Sequence, residues 1–176
     1  MHSLRTWHLL GLPLLWTVPL SAQAAPATAP LEFLGYSAGA ALSELDSLYH
    51  ARSGKGFTCR TAQRDRSVRE CRGAFQDDDG TQVDVWLSVM DGRTGIIMLH
   101  AGGSSDRVMA WRRHLEERYG LVEAHVQGTQ WSMQWVRRGR MIRLTWRVDR
   151  SAREVSVSLV DGTVLDNWGN KTRNPR

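Results

Sequence analysis

The chain has 176 residues, with 23 Lys plus Arg, 18 Asp plus Glu and a formal net charge of +5. That length suits a single domain with its own core rather than several. Its two cysteines are too few for a multi-disulfide scaffold or a cysteine-only zinc site.

The first 24 residues carry no acidic side chain. His2, Arg5 and His8 make a short basic start. Leu9 to Leu20 is apolar apart from Thr17 and is broken by Pro13 and Pro19. The run is too short to span ~30 Å of hydrocarbon comfortably as a helix. Ala22-Gln23-Ala24 places small residues at −3 and −1 of a signal-peptidase site, so the pattern predicts a leader over 1–24, cut between Ala24 and Ala25. Residues 25–30, rich in Ala and Pro, read as an extended tether, because proline fixes φ and lacks a backbone donor. A single domain is then expected over 31–170 and a disordered tail over 171–176. No later segment approaches the ~20 apolar residues of a membrane span, so the exported chain is not expected to be an integral membrane protein.

Helical spacing comes first, in Ala41, Leu42, Leu45, Leu48 and Tyr49. Two strands follow, 57–62 and 67–75, around the polar turn 63–66. A hairpin centred on Asp65 sets Cys59 opposite Cys71 and Arg60 opposite Glu70. In an oxidising compartment an isolated cysteine pair reads as a disulfide, worth on the order of 3 kcal/mol for a loop this short. Strand 82–90 then alternates Val83, Val85, Leu87 and Val89 with Asp84, Trp86, Ser88 and Met90. Asp91-Gly92 suits a two-residue turn into strand 93–101.

The order then repeats. Ser104 or Ser105 can cap a helix whose first turn holds Asp106. Val108, Trp111, Leu115 and Tyr119 share one face, and Gly120 can end it. Residues 121–127 read as a strand. Trp131, Met133 and Trp135 alternate, the turn Arg138-Gly139 follows, and the chain returns through Ile142, Leu144 and Trp146. After a loop at 149–152, Val155, Val157 and Leu159 fall on the same face. A one-residue slip would turn all these side chains to water, so the register is strongly specified. Asp161-Gly162 reads as a last hairpin turn into a strand over 163–168. Leu87 to Gly92 and Ser158 to Gly162 share wording, each before an expected final strand. The expected class is α+β: a tandem α-β-β-β-β repeat, halves 31–103 and 104–170, with an antiparallel sheet and two helices packed on one face.

This order resembles the tandem helix-plus-four-strand modules of beta-lactamase inhibitory proteins and of related small envelope-assembly lipoproteins. The matching features are a short helix after Gly39, the hairpin bridged by Cys59 and Cys71, and a helix restarting after Gly102-Gly103. The chain departs from the pattern in having no cysteines in its second half and no lipidated cysteine. The resemblance implies binding to other proteins rather than catalysis.

Catalytic chemistry finds little support. Gly35-Tyr36-Ser37-Ala38-Gly39 matches the G-x-S-x-G elbow of serine hydrolases. That elbow belongs inside a parallel α/β sheet, whereas this chain reads antiparallel, so Ser37 is expected to cap the first helix instead. Asp77-Asp78-Asp79-Gly80 lacks the alternate ligands and distal Glu of a calcium loop and reads as a solvated turn. The histidines show no metal-binding spacing. No catalytic residue, metal or cofactor is assigned.

Charge supplies the remaining candidate. Residues 25–103 hold 8 basic and 10 acidic side chains, and residues 104–176 hold 14 and 8. Arg137, Arg138 and Arg140 crowd a hairpin tip. Arg143 and Arg147 project opposite Trp146, with Gln130, Gln134, Thr145, Ser156 and Ser158. Arginines can take carboxylate or phosphate in bidentate fashion. Arg outnumbers Lys by 21 to 2, so an Arg-rich surface is also the chain's ordinary habit. The expectation is an exported, non-enzymatic binding or envelope-maintenance protein, in periplasm or medium. Its partner would be another envelope protein or an anionic envelope polymer, not nucleic acid. The alternative is a secreted or periplasmic hydrolase whose site is scattered in sequence.

Overall fold

A computed structural model describes residues 30–148 and 153–173. The leader and its cleavage site, most of the tether and the loop 149–152 lie outside the described residues.

The class is α+β. A small hairpin, β1 (Glu32–Phe33) and β2 (Tyr36–Ser37), precedes α1 (Leu42–Ser53). Then come β3 (Thr58–Thr61), β4 (Val68–Gln76), β5 (Gln82–Met90) and β6 (Arg93–Gly102). The second half runs α2 (Ser105–Tyr119), β7 (His125–Gln127), β8 (Gln130–Arg137), β9 (Arg140–Val148), β10 (Arg153–Asp161) and α3 (Gly162–Arg173). Strands β3 to β10 form one eight-stranded antiparallel sheet in the order β3-β4-β5-β6-β10-β9-β8-β7. Each half thus supplies four neighbouring strands, and β6 meets β10 at the centre.

Turn chemistry sets the hairpins. Asp91 and Gly92 have φ of 50° and 76°, and Arg138 and Gly139 have 48° and 74°, as a type I′ turn requires. The pairs Trp131–Trp146, Met133–Leu144 and Trp135–Ile142 lie in the expected register, and Val155, Val157 and Leu159 line up with them on β10. These residues, except the half-exposed Trp131, are buried with Val83, Val85, Leu87, Ile97 and Leu99. The Cys59–Cys71 disulfide is formed, and Arg60 pairs with Glu70 at 3.1 Å, both in the expected register.

Two helices pack on this apolar face, each anchored through a tyrosine. Tyr49 of α1 donates its hydroxyl to Ala74 O and accepts from Ala74 N, at 3.2 and 3.1 Å. Gly73 makes room, since a Cβ there would sit 2.5 Å from the Tyr49 ring. Tyr119 of α2 bridges Glu32 in the same way, at 2.7 Å to both N and O. Phe33 meets Trp111 edge-on at 4.9 Å, so the small hairpin seals the end of the core.

Four expectations require correction. Residues 121–124 are not strand; only His125–Gln127 pairs with β8. The expected strand 163–168 is helix α3, because Asp161 caps it: Oδ1 accepts Val164 N at 3.0 Å. That helix continues to Arg173, so 171–173 do not belong to a tail, and Lys171 pairs with Asp91 at 2.6 Å. Finally, Leu87 to Gly92 closes the third strand of its half, whereas Ser158 to Gly162 closes the fourth strand and opens a helix. The shared wording therefore does not mark equivalent positions.

Candidate functional site

The sheet has a second face. Strand alternation puts Arg72 and Ala74, Asp84 and Trp86, Met98 and His100, Ser156 and Ser158, and Arg143, Thr145 and Arg147 opposite the helix-covered core. One row across the strands runs Arg72, Trp86, Met98, Ser158, Arg143 and Gln134. The next runs Ala74, Asp84, His100, Ser156, Thr145 and Ser132. A third places Glu154 beside Arg147 and Arg147 beside Gln130.

Helix α3 closes one end of this face. Val68, Ser88 and Met90 point to it and are buried. Ser88 pairs with Ile96 while Val89 pairs with Thr94, so Gly95 is the extra residue of a bulge. A Cβ on Gly95 would stand 3.0 Å from both Leu165 of α3 and Met90. Trp168 Nε1 donates to Ser67 Oγ at 3.0 Å.

Beyond α3 the face is open. Trp86 is half-buried and Met98 is 40% exposed, an apolar shelf among polar neighbours. A cleft of about 540 Å³ is bounded by Arg72, Asp84, Trp86, Met98 and His100. A second, of about 250 Å³, lies past Met98 and His100 and is bounded by Gln130, Thr145, Arg147, Glu154 and Ser156. The clefts are contiguous, sharing the Met98 and His100 side chains. Among the described residues, His100 Nδ1 is buried without a hydrogen-bond partner.

The arginines singled out in the sequence do not form one surface. Arg143 and Arg147 lie on the open face, where Arg143 donates to Gln134 Oε1 at 2.8 and 3.2 Å. Arg137 turns to the helix side. Its guanidinium lies 5.3 Å from the Tyr119 ring centre and donates to Tyr119 O at 3.1 Å, closing the negative end of α2. Arg140 also turns to that side and donates to Asp161 Oδ2 at 2.7 Å. Only Arg138 remains exposed at the turn. Chain neighbours on a strand alternate faces, so proximity in sequence misgrouped them.

Two other candidates resolve into structure. Ser37 lies in the β1–β2 hairpin and does not cap α1, whose N-cap is Ala41 without a side-chain cap. Its cleft of about 360 Å³ is bordered by Glu44, Arg93 and Arg140, and among the described residues no histidine lines it to act as a base. The acidic turn 77–79 is not merely solvated. Arg107, 9% exposed, donates to Asp77 at 2.5 Å, to both Asp79 oxygens at 2.6 and 2.7 Å, and to Thr81 Oγ1. The guanidinium holds the Asp79 carboxyl well below the usual carboxylate range. Among the described residues, no cluster of His, Cys, Asp and Glu can hold a metal ion, and no helix is long and apolar enough to cross a membrane.

The open-face residues Arg72, Asp84, Trp86, Met98, His100 and Glu154 were not singled out as a site from sequence. The available signal was Trp86 itself, a large aromatic in the polar register of an alternating strand. Comparison with family models, curated proteins and solved structures finds no match to this chain.

Proposed function

We propose that the protein is an exported, non-catalytic binding module, and that its ligand seats on the open face of the sheet. The observation carrying this reading is the Trp86–Met98 shelf, set in two joined clefts on a face that α3 covers at one end only. Ligand sites combine an apolar surface with a few convergent polar groups, and this face supplies both. Export is supported by the leader pattern and by the Cys59–Cys71 disulfide, which belongs in an oxidising compartment. A helix-plus-four-strand unit used twice would produce the observed strand order, with the ligand face spanning the seam between halves.

The test is capture on the immobilised protein from an envelope extract of the native organism. Three forms are compared: unaltered, Trp86→Ala, and a triple variant with Arg137→Ala, Arg138→Ala and Arg140→Ala. Material held by the unaltered and triple forms, but lost from Trp86→Ala, supports the open face. Loss from the triple variant alone would return the site to the hairpin tip.

A further inference from the structure

We propose that the open face takes a short, uncharged oligosaccharide. This rests on the open face being the ligand surface, and it adds the ligand's chemistry.

The argument begins with charge balance. The larger cleft carries Arg72 and Asp84, and the smaller carries Arg147 and Glu154. Each cleft therefore holds one cation and one anion. Among the described residues neither pair is closed as an ion pair, although Arg147 and Glu154 are cross-strand neighbours. A site for an anionic polymer would gather one sign of charge. Although Asp84 Oδ1 already accepts from Gln82 Nε2 at 2.9 Å, a guanidinium and a carboxylate left outside any ion pair offer donors and acceptors together. That is what a hydroxyl needs, since it donates once and accepts twice. Gln130, Thr145, Ser156 and the His100 ring add further polar groups around the smaller cleft.

The second argument is shape. The Trp86 ring and Met98 form a half-open apolar shelf in the middle of those polar groups. A pyranose has hydroxyls around its rim and an apolar C–H face, so it can lie on an aromatic surface while its rim meets polar side chains. From Trp86 on β5 to Arg147 on β9 is three strand spacings across the sheet, roughly 14 Å, and four residues along the strands, roughly 13 Å more. A ligand touching both clefts is therefore elongated, a chain of sugar rings rather than one.

The test is a titration of the purified protein with cellotriose, maltotriose and triacetylchitotriose, each into the millimolar range, following the Trp86 indole N–H and the Met98 methyl by NMR. At least one trisaccharide is expected to shift both signals saturably. Trp86→Ala should weaken that binding about tenfold or more. An Asp84→Asn, Glu154→Gln double variant, which leaves the shelf in place, should weaken it severalfold. Thermal melts of each variant show that the fold is retained. Failure of all three sugars to move those signals overturns the proposal, as does binding that survives Trp86→Ala. The two readings separate cleanly. If no sugar binds but Trp86→Ala still loses a captured partner from the extract, the ligand class is wrong and the face is right. If neither depends on Trp86, both fall.

Discussion

Arg107 of α2 donates from Nη1 to Asp77 Oδ2 at 2.5 Å, and its other nitrogen reaches Asp79 and Thr81, so one buried guanidinium fills the acidic turn between β4 and β5. A cation already stands where a bound ion would have to stand. The ion pair ties the start of α2 to a hairpin of the first half, across 30 residues of chain.

This arrangement makes the fold acid-sensitive. The Asp79 carboxyl is held low by the hydrogen bonds it accepts, first from Arg107 and then from Thr81 N. A group whose folded pKa is depressed contributes stability above its unfolded value, and loses it as pH falls through the folded one. Its contribution should be complete above about pH 4 and decline below it. Thermal melts from neutral pH downward should show a steeper loss for the unaltered protein than for Asp79→Asn. Parallel curves would remove Asp79 from the account.

At the alkaline end the relevant group is Tyr36. Burial pushes its hydroxyl up to about 12, with Arg52 opposing, and the oxygen is buried without a hydrogen-bond partner among the described residues. A raised pKa means stability present below about pH 10 and lost as pH rises through 12. Tyr36→Phe should abolish that loss. It should also raise stability at neutral pH by about 1 kcal/mol, because an unsatisfied buried hydroxyl is removed. Urea unfolding at pH 7 and above 10 reads both effects; a destabilised Tyr36→Phe would mean the hydroxyl has a partner.

Removing the disulfide should weaken the protein by about 3 kcal/mol. The bond closes a hairpin with a sequence separation of 12, where chain entropy dominates. Urea midpoints of the unaltered chain and of Cys59→Ala with Cys71→Ala give the difference. Equal midpoints would show that the β3–β4 pairing needs no staple.

Much of this architecture is legible in the sequence, because burial on one face fixes strand register. Trp131, Met133 and Trp135 against Ile142, Leu144 and Trp146 could pair in one way only. Helix α3 was not legible. Its segment follows Asp-Gly, a favoured hairpin turn, and contains Thr163, Val164, Gly169 and three polar turn-formers. Tertiary contacts decided: Asp161 caps the helix while held by Arg140, and Leu165 fits over the glycine at 95. The site was legible only in part. Arg143 and Arg147 lie on the face opposite Trp146, as strand alternation predicts, but Trp86, Asp84 and Met98 on the same face come from the other half. Which strands neighbour each other, β6 with β10, cannot be read from alternation alone.

The two faces of the sheet should respond differently to truncation. Leu144 is fully buried, and Leu144→Ala should cost about 2–5 kcal/mol. Trp86 stands on the open side, and Trp86→Ala should cost about 1 kcal/mol or less. Chemical denaturation of both variants makes the comparison. Equal losses would mean Trp86 is part of a core and not a shelf.

The most direct test uses two methionines. Met98 lies on the open face and is 40% exposed; Met109 lies on α2, on the other side of the sheet, and is 49% exposed. Both oxidise to sulfoxide by the same chemistry, so their ratio cancels differences in oxidant. The protein is oxidised mildly in buffer and again in envelope extract, and both sites are read by peptide mass spectrometry. A ligand on the open face protects Met98 and leaves Met109 unchanged. Protection of Met109 with Met98 still reactive would place the ligand on the helices and contradict the account.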